Sequence, residues 1–126
     1  MMQRFEVVGV HGKLDDGLRR YAAKKLAGLD VYLPKHARQS AHMEIRLIAE
    51  RLGGRRQTVC EIVLHVPRQV ISLTEAGANG YEAIDMAEAA LKRRIRRYKE
   101  ELTNGKQRRH LFIRLQRRWP LEMLAS

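Results

Sequence analysis

The sequence predicts an α+β fold in the order β-α-β-β-β-α, with a four-stranded sheet and two helices packed on one face. Three observations predict it. Apolar residues recur with helical period in two stretches, Leu14 to Leu29 and Gly80 to Leu102, and alternate with period two in the segments between. The last three strand candidates are joined by connections short enough to make them antiparallel neighbours. A chain of 126 residues, 44% of them hydrophobic, supplies one folded core and is too apolar for a disordered chain.

Gln3 to Val10 reads as the first strand, carried by the β-favouring Phe5, Val7 and Val8 and broken by Gly9, His11 and Gly12. In the first helix Leu14, Leu18, Ala22, Leu26 and Leu29 fall on one face. Asp15 and Asp16 stand in its first turn, where negative charge suits the helix dipole. Tyr32-Leu33-Pro34 ends that element, because a residue before proline is biased away from helix. From Ala41 to Glu50 the residues Ala41, Met43, Ile45, Leu47 and Ala49 share one face of a half-buried strand. Gly53-Gly54 with Arg55 and Arg56 form a turn. Gln57 to Val66 follows with Cys60, Ile62, Leu64 and Val66 on one face. Pro67-Arg68-Gln69 turns the chain into Val70 to Thr74, with Ile71 and Leu73 inward.

The last helix gives the strongest pattern. Tyr81, Ile84, Glu88, Leu91, Ile95, Tyr98 and Leu102 recur in steps of three and four and form its sheet-facing seam. Asn104-Gly105 reads as its stop. The chain then divides into a domain over 1–104 and a short basic tail over 105–126. The tail holds Arg108, Arg109, Arg117 and Arg118 as candidate contacts to RNA or to a partner.

Charge narrows the function. The net charge is +11, and it is not spread evenly. Lys92 to Arg118 holds twelve basic and two acidic residues, whereas Met1 to Leu91 holds thirteen and eleven. Such self-repulsion opposes folding and points to a polyanionic partner. Between Lys92 and Lys99 six of eight residues are cationic and none is acidic, so the usual balance of opposite charges is missing within that run. Arginine dominates, which suits forked contacts to phosphate oxygens. Nucleic acid is favoured over a membrane surface, because the polar helix faces lack the large apolar content of an interfacial helix. Aromatic residues make up only 6%, so base stacking is not the main device.

Other chemistry finds little support. The one cysteine, Cys60, reads as a buried small hydrophobe. His11, His36, His42, His65 and His110 show no metal-ligand spacing, so no metal and no cofactor are expected. No phosphate loop or nucleophile elbow is present, and the chain reads as a non-enzyme without a small-molecule substrate. The N-terminal stretch MMQRFEVVGV lacks a leader-like apolar region, and no segment suits a membrane span, so a cytoplasmic location is expected.

Two stretches carry a resemblance. One is Leu18-Arg19-Arg20-Tyr21-Ala22-Ala23-Lys24-Lys25-Leu26-Ala27-Gly28-Leu29. The other runs from Glu61-Ile62-Val63-Leu64-His65-Val66-Pro67 through Tyr81-Glu82-Ala83-Ile84-Asp85 to Leu91, Tyr98, Lys99 and Glu100. Together they resemble the ribosome hibernation-promoting factors, also called protein Y, ribosome-associated inhibitor or sigma-54 modulation proteins, over about Gln3 to Leu102 in the same order. The resemblance implies a stress or stationary-phase factor that occupies the decoding channel of the small ribosomal subunit and blocks translation reversibly. It implies RNA-facing roles for Arg19 and Lys25 in the first helix and for Arg93, Arg97 and Lys99 in the second. Charge and exposure expected of the helices add Arg20, Lys24, Lys92, Arg94 and Arg96.

Departures from the family pattern are visible. Ala78-Asn79-Gly80 stands where the family carries an acidic run with a Met, and Ala90 where it carries a lysine. No counterpart of the C-terminal domain that pairs ribosomes follows Leu102, so a short form is expected. The partner expected is the small subunit and its rRNA. The alternatives are a generic double-stranded RNA binder, and an adaptor that contacts a protein through Leu111 to Trp119.

Overall fold

Strand β1 (Arg4–Val10) lies parallel to β2 (His42–Leu52), and β2 continues into an antiparallel meander with β3 (Arg55–Val66) and β4 (Gln69–Gly77). The sheet order is β1-β2-β3-β4. Between β1 and β2 run helix α1 (Asp16–Leu26), a 3-10 turn (Ala27–Tyr32) and the one-turn helix α2 (Lys35–Arg38). Helix α3 (Gly80–Leu115) follows β4. The computed structural model describes residues 2, 4–12 and 14–115, with side chains as far as residue 104. They fall into two units, Met1–Ile95 and a second that begins at Arg96.

In the first unit the alternation predicted for the strands is observed. Met43, Ile45 and Leu47 of β2 and Cys60, Ile62, Leu64 and Val66 of β3 are buried, with Ile71 of β4 and Val7 of β1 beside them. The intervening residues are exposed or half-buried. One face is therefore covered and the other is open. Ala49 is an exception to its expected burial, because it stands beyond the covered part of β2 and is exposed.

Both hairpins are tighter than the sequence reading. Gly53 and Gly54 both take positive φ, 59° and 80°, which a two-residue turn of matching twist requires. Leu52 therefore pairs directly with Arg55, and Arg55 and Arg56 belong to β3 rather than to the turn. Val66 pairs with Gln69 across Pro67-Arg68, and β4 continues past Thr74 to Gly77.

Helix α1 begins one residue later than the two acids suggested. Asp15 is its cap, outside the first turn, and accepts a hydrogen bond from Leu18 N at 2.7 Å; Asp16 is the first helical residue. Ala22, Leu26, Ala27 and Leu29 are buried. The α-helix gives way at Ala27 to the tighter 3-10 turn, so Leu29 reaches the core from outside α1. Leu33 is extended before Pro34, as expected. Arg38 then ties the connector down, donating to Leu33 O at 3.0 Å and Val31 O at 2.9 Å.

The seam of α3 differs from its reading in the first turns. Ala83, Ile84, Ala87, Ala90 and Leu91 are buried, so small residues share the sheet-facing side. Tyr81 is instead 45% exposed. The backbone of α3 comes close to the end of β4: a Cβ on Gly77 would stand 2.5 Å from Ala83 N. The stop expected at Asn104-Gly105 is overturned, since the helical backbone runs through both to Leu115. A glycine inside a helix costs only about 1 kcal/mol, too little by itself to end a run this long.

Candidate nucleic-acid interface

Within the first unit, α1 and the first half of α3 lie side by side on the covered face. Tyr21 on α1 donates its hydroxyl to Asp85 Oδ1 on α3, and its ring meets Tyr81 edge-to-face with centroids 5.0 Å apart. The bond to Asp85, followed by partial desolvation, pushes the Tyr21 hydroxyl up to about 12. Tyr81, misread as core, therefore belongs to the helix–helix contact.

The cations of α1 divide by environment. Arg20 and Lys24 are exposed. Lys25 is half-buried, with its ammonium 5.6 Å from the Tyr21 ring centroid. Arg19 is exposed, but one arm of its guanidinium donates to Val7 O on β1 at 3.0 Å, which fixes its direction.

On α3, Lys92 is half-buried and lies 5.8 Å from the centroid of Tyr32, in the turn after α1. Arg93 is exposed. Arg94 is half-buried and donates to Ser72 O of β4 at 3.0 Å, so it partly serves to hold the helix to the sheet. The acids of the helix, Glu82, Asp85 and Glu88 before the run and Glu100 and Glu101 after it, leave Lys92 to Lys99 itself without one. The ion pairs Arg46–Glu61 (3.5 Å) and His65–Glu44 (3.9 Å) occupy the open sheet face rather than the helical one.

In the second unit Arg96, Arg97 and Lys99 are exposed and Tyr98 is buried. Arg108 and Arg109 lie on the helical backbone of α3, but their side chains are outside the described residues; Arg117 and Arg118 are outside them altogether. The segment proposed as an adaptor, Leu111 to Trp119, is helical in backbone as far as Leu115.

The sequence reading missed two features. Arg51 and Arg56 stand directly opposite each other at the tip of the β2–β3 hairpin. Like charges so placed are unfavourable in isolation. They help line a cleft with His11, Gln57, Asn79 and Gly80, the first residue of α3. The doubled arginine at 55 and 56 was the available signal, and reading it as a turn hid it. The second feature is a histidine pair: His42 and His65, taken as scattered, are register partners whose rings stack. Cys60 is fully buried, as expected, and burial pushes its thiol up to about 12, so it is no nucleophile at neutral pH. Among the described residues no helix is long and apolar enough to cross a membrane.

Residues 5–103 match the family described as sigma 54 modulation protein / S30EA ribosomal protein. The chain belongs to this family. Among curated relatives of the family, it is 30% identical over 106 residues to the ribosome hibernation promotion factor of Deinococcus radiodurans, covering 84% of this chain and 54% of that protein. It is 25% identical over 101 residues to the factor of the same name from Lactococcus lactis subsp. cremoris, covering 80% and 52%. The chain thus spans about half the length of the curated relatives it matches. Among solved structures, the protein Y N-terminal domain of Thermus thermophilus is similar, with TM-score 0.58, 28% identity and coverage of 73% of this chain and 93% of that one. A ribosomal subunit interface protein from Coxiella burnetii shares the fold, with TM-score 0.65 at 17% identity, covering 78% and 99%. The sigma 54 modulation/S30EA fold is therefore the mixed four-stranded sheet with its helices on one face described above.

Proposed function

We propose that this chain is a ribosome-associated hibernation factor, which silences translation by binding small-subunit rRNA in the decoding channel. Two groups of side chains supply the contacts. In the first unit they are Arg19, Arg20, Lys24 and Lys25 on α1 with Lys92, Arg93 and Arg94 on α3; in the second they are Arg96, Arg97 and Lys99. The observation that carries the reading is the coupling of α1 to the first half of α3 through Tyr21, Asp85 and Tyr81, which holds the two cation-bearing helical segments of the first unit together. Most of these cations are exposed, and no acid lies among the α3 cations from Lys92 to Lys99. Membership of the family and the names of its hibernation factors support the same reading. Residues 1–104 form the binding domain on this view, 105–126 act as a basic tail, and the protein works in the cytoplasm without catalysis.

The test is a ribosome-pelleting assay at two salt concentrations. Binding weakens steeply with salt if phosphate contacts dominate. Replacing Arg93→Glu and Arg97→Glu together lowers the salt slope by about two, one for each phosphate left without its arginine, and abolishes pelleting at the higher salt. Equal affinity for an arbitrary RNA duplex would instead identify a generic double-stranded RNA binder. Unchanged pelleting of the double variant would refute the site.

A further inference from the structure

The sheet face opposite the helices holds a group that the RNA-binding reading does not use. The antiparallel register of β2 and β3 sets His42 directly across from His65. Their rings stack with centroids 4.1 Å apart and planes 8° from parallel. Glu44 follows His42 by two residues and so lies on the same face, with Oε2 3.9 Å from His65 Nε2. One donor atom from each of the three lies within 4.8 Å of the others. We propose that His42, His65 and Glu44 form a binding site for a borderline transition-metal dication of the Zn2+ class, independent of any ribosome contact.

Two imidazoles and one carboxylate are a donor set that Zn2+ takes with water in the remaining position. Bond lengths of about 2.0–2.2 Å put the donors of a tetrahedral site roughly 3.4 Å apart. The donors must therefore close by about an ångström, and because an imidazole donates in its ring plane, at least one of the two stacked rings must also turn about its side-chain torsions, which partly exposed side chains allow. The histidines stand on the two central strands, paired on both sides, so the backbone beneath them is already ordered. Neighbouring charges are arranged to suit. Arg46, the next residue on this face of β2, is drawn to Glu61 at 3.5 Å. On β1 the register sets Glu6 beside Glu44, adding negative charge, and Arg4 beside His42 as the one opposing charge in that row. Mg2+ is disfavoured, because it demands oxygen donors in octahedral geometry.

The proposal is tested with the full chain, carrying no histidine tag, titrated with ZnCl2 and separately with MgCl2 by calorimetry. One Zn2+ binds per chain with micromolar or tighter affinity, and Mg2+ gives no heat. Zn2+ moves the ring signals of two of the five histidines in the nuclear magnetic resonance spectrum of the unaltered protein. His42→Gln and His65→Gln each weaken binding at least tenfold, the lower end of what losing even an outer-shell partner costs. Glu44→Gln weakens it less, and His36→Gln not at all. The site is refuted if Zn2+ fails to bind below millimolar concentration, if the histidines that respond are others, or if folded His42→Gln and His65→Gln bind as the unaltered chain does. The histidine spectrum needs no variant, so misfolding of a variant does not rescue the idea.

Discussion

Tyr21 on α1 donates a hydrogen bond from its hydroxyl to the Asp85 carboxylate on α3, across the junction of the two helices that carry the cations. The bond favours the neutral phenol, which raises the hydroxyl from its ordinary 10 to about 12 in the folded chain. A raised folded value means that the contribution to stability is complete below pH 10 and is lost as the pH climbs from 10 to about 12. Tyrosinate absorbance should show a late-titrating phenol that disappears in Tyr21→Phe. Urea unfolding should find Tyr21→Phe less stable than the parent at pH 8.5, with the gap narrowing above pH 11. A constant gap across that range would contradict the bond.

The start of α1 separates two adjacent acids that the sequence treats alike. Asp15 makes a capping bond to Leu18 N, whereas Asp16 lies within the first turn and acts through the helix dipole. Asp15→Ala should therefore cost about 1 kcal/mol, the usual loss for a removed cap. Asp16→Ala should cost about 0.3–1 kcal/mol and lose that effect in high salt, because dipole interactions are screened. Denaturant midpoints at low and high salt distinguish the two; equal, salt-sensitive losses would remove Asp15 from the cap.

Gly77 is a matter of space. It is buried, and a methyl group there would meet the backbone of Ala83 and Glu82, which cannot turn aside as a side chain can. Gly77→Ala should destabilise by about 1–3 kcal/mol, the range for forced overpacking, and lower the melting temperature by several degrees. Gly80 is the useful contrast. Its added methyl group would meet the end of the Leu18 side chain, which can rotate, so Gly80→Ala should cost less. Thermal unfolding of the pair checks the order, and the reverse order would show that β4 and α3 are not in this close approach.

The sequence was most legible where one face is covered and the other is not. Met43, Ile45 and Leu47 alternate with Glu44 and Arg46 because the helices lie on one side only, and the pattern reads off directly. Helix α3 was harder. Tyr81 fits an apolar repeat, yet its hydroxyl-bearing ring serves the junction with α1, and Ala83, Ala87 and Ala90 supply close packing that hydrophobicity underrates. Its passage through Asn104-Gly105 was hidden because capping preferences are local and weak beside a long helical run. The cations of the interface were visible as composition. The anchoring of Arg19 on Val7 O and of Arg94 on Ser72 O was not, since both bonds depend on which strand edge a helix crosses. His42 and His65 meet only through strand register, which spacing along the chain does not encode.

The parallel pairing of β1 with β2 has a consequence for the order in which the molecule assembles. β2, β3 and β4 are joined by two-residue turns, so bringing them together closes only short loops. β1 reaches its place only after α1, the 3-10 turn and α2 have spanned the distance to β2. Long-range pairing of this kind comes late and is the first to be undone. The meander should therefore pair first and β1 should join its edge last, with the amides of β1 exchanging faster than those of β3.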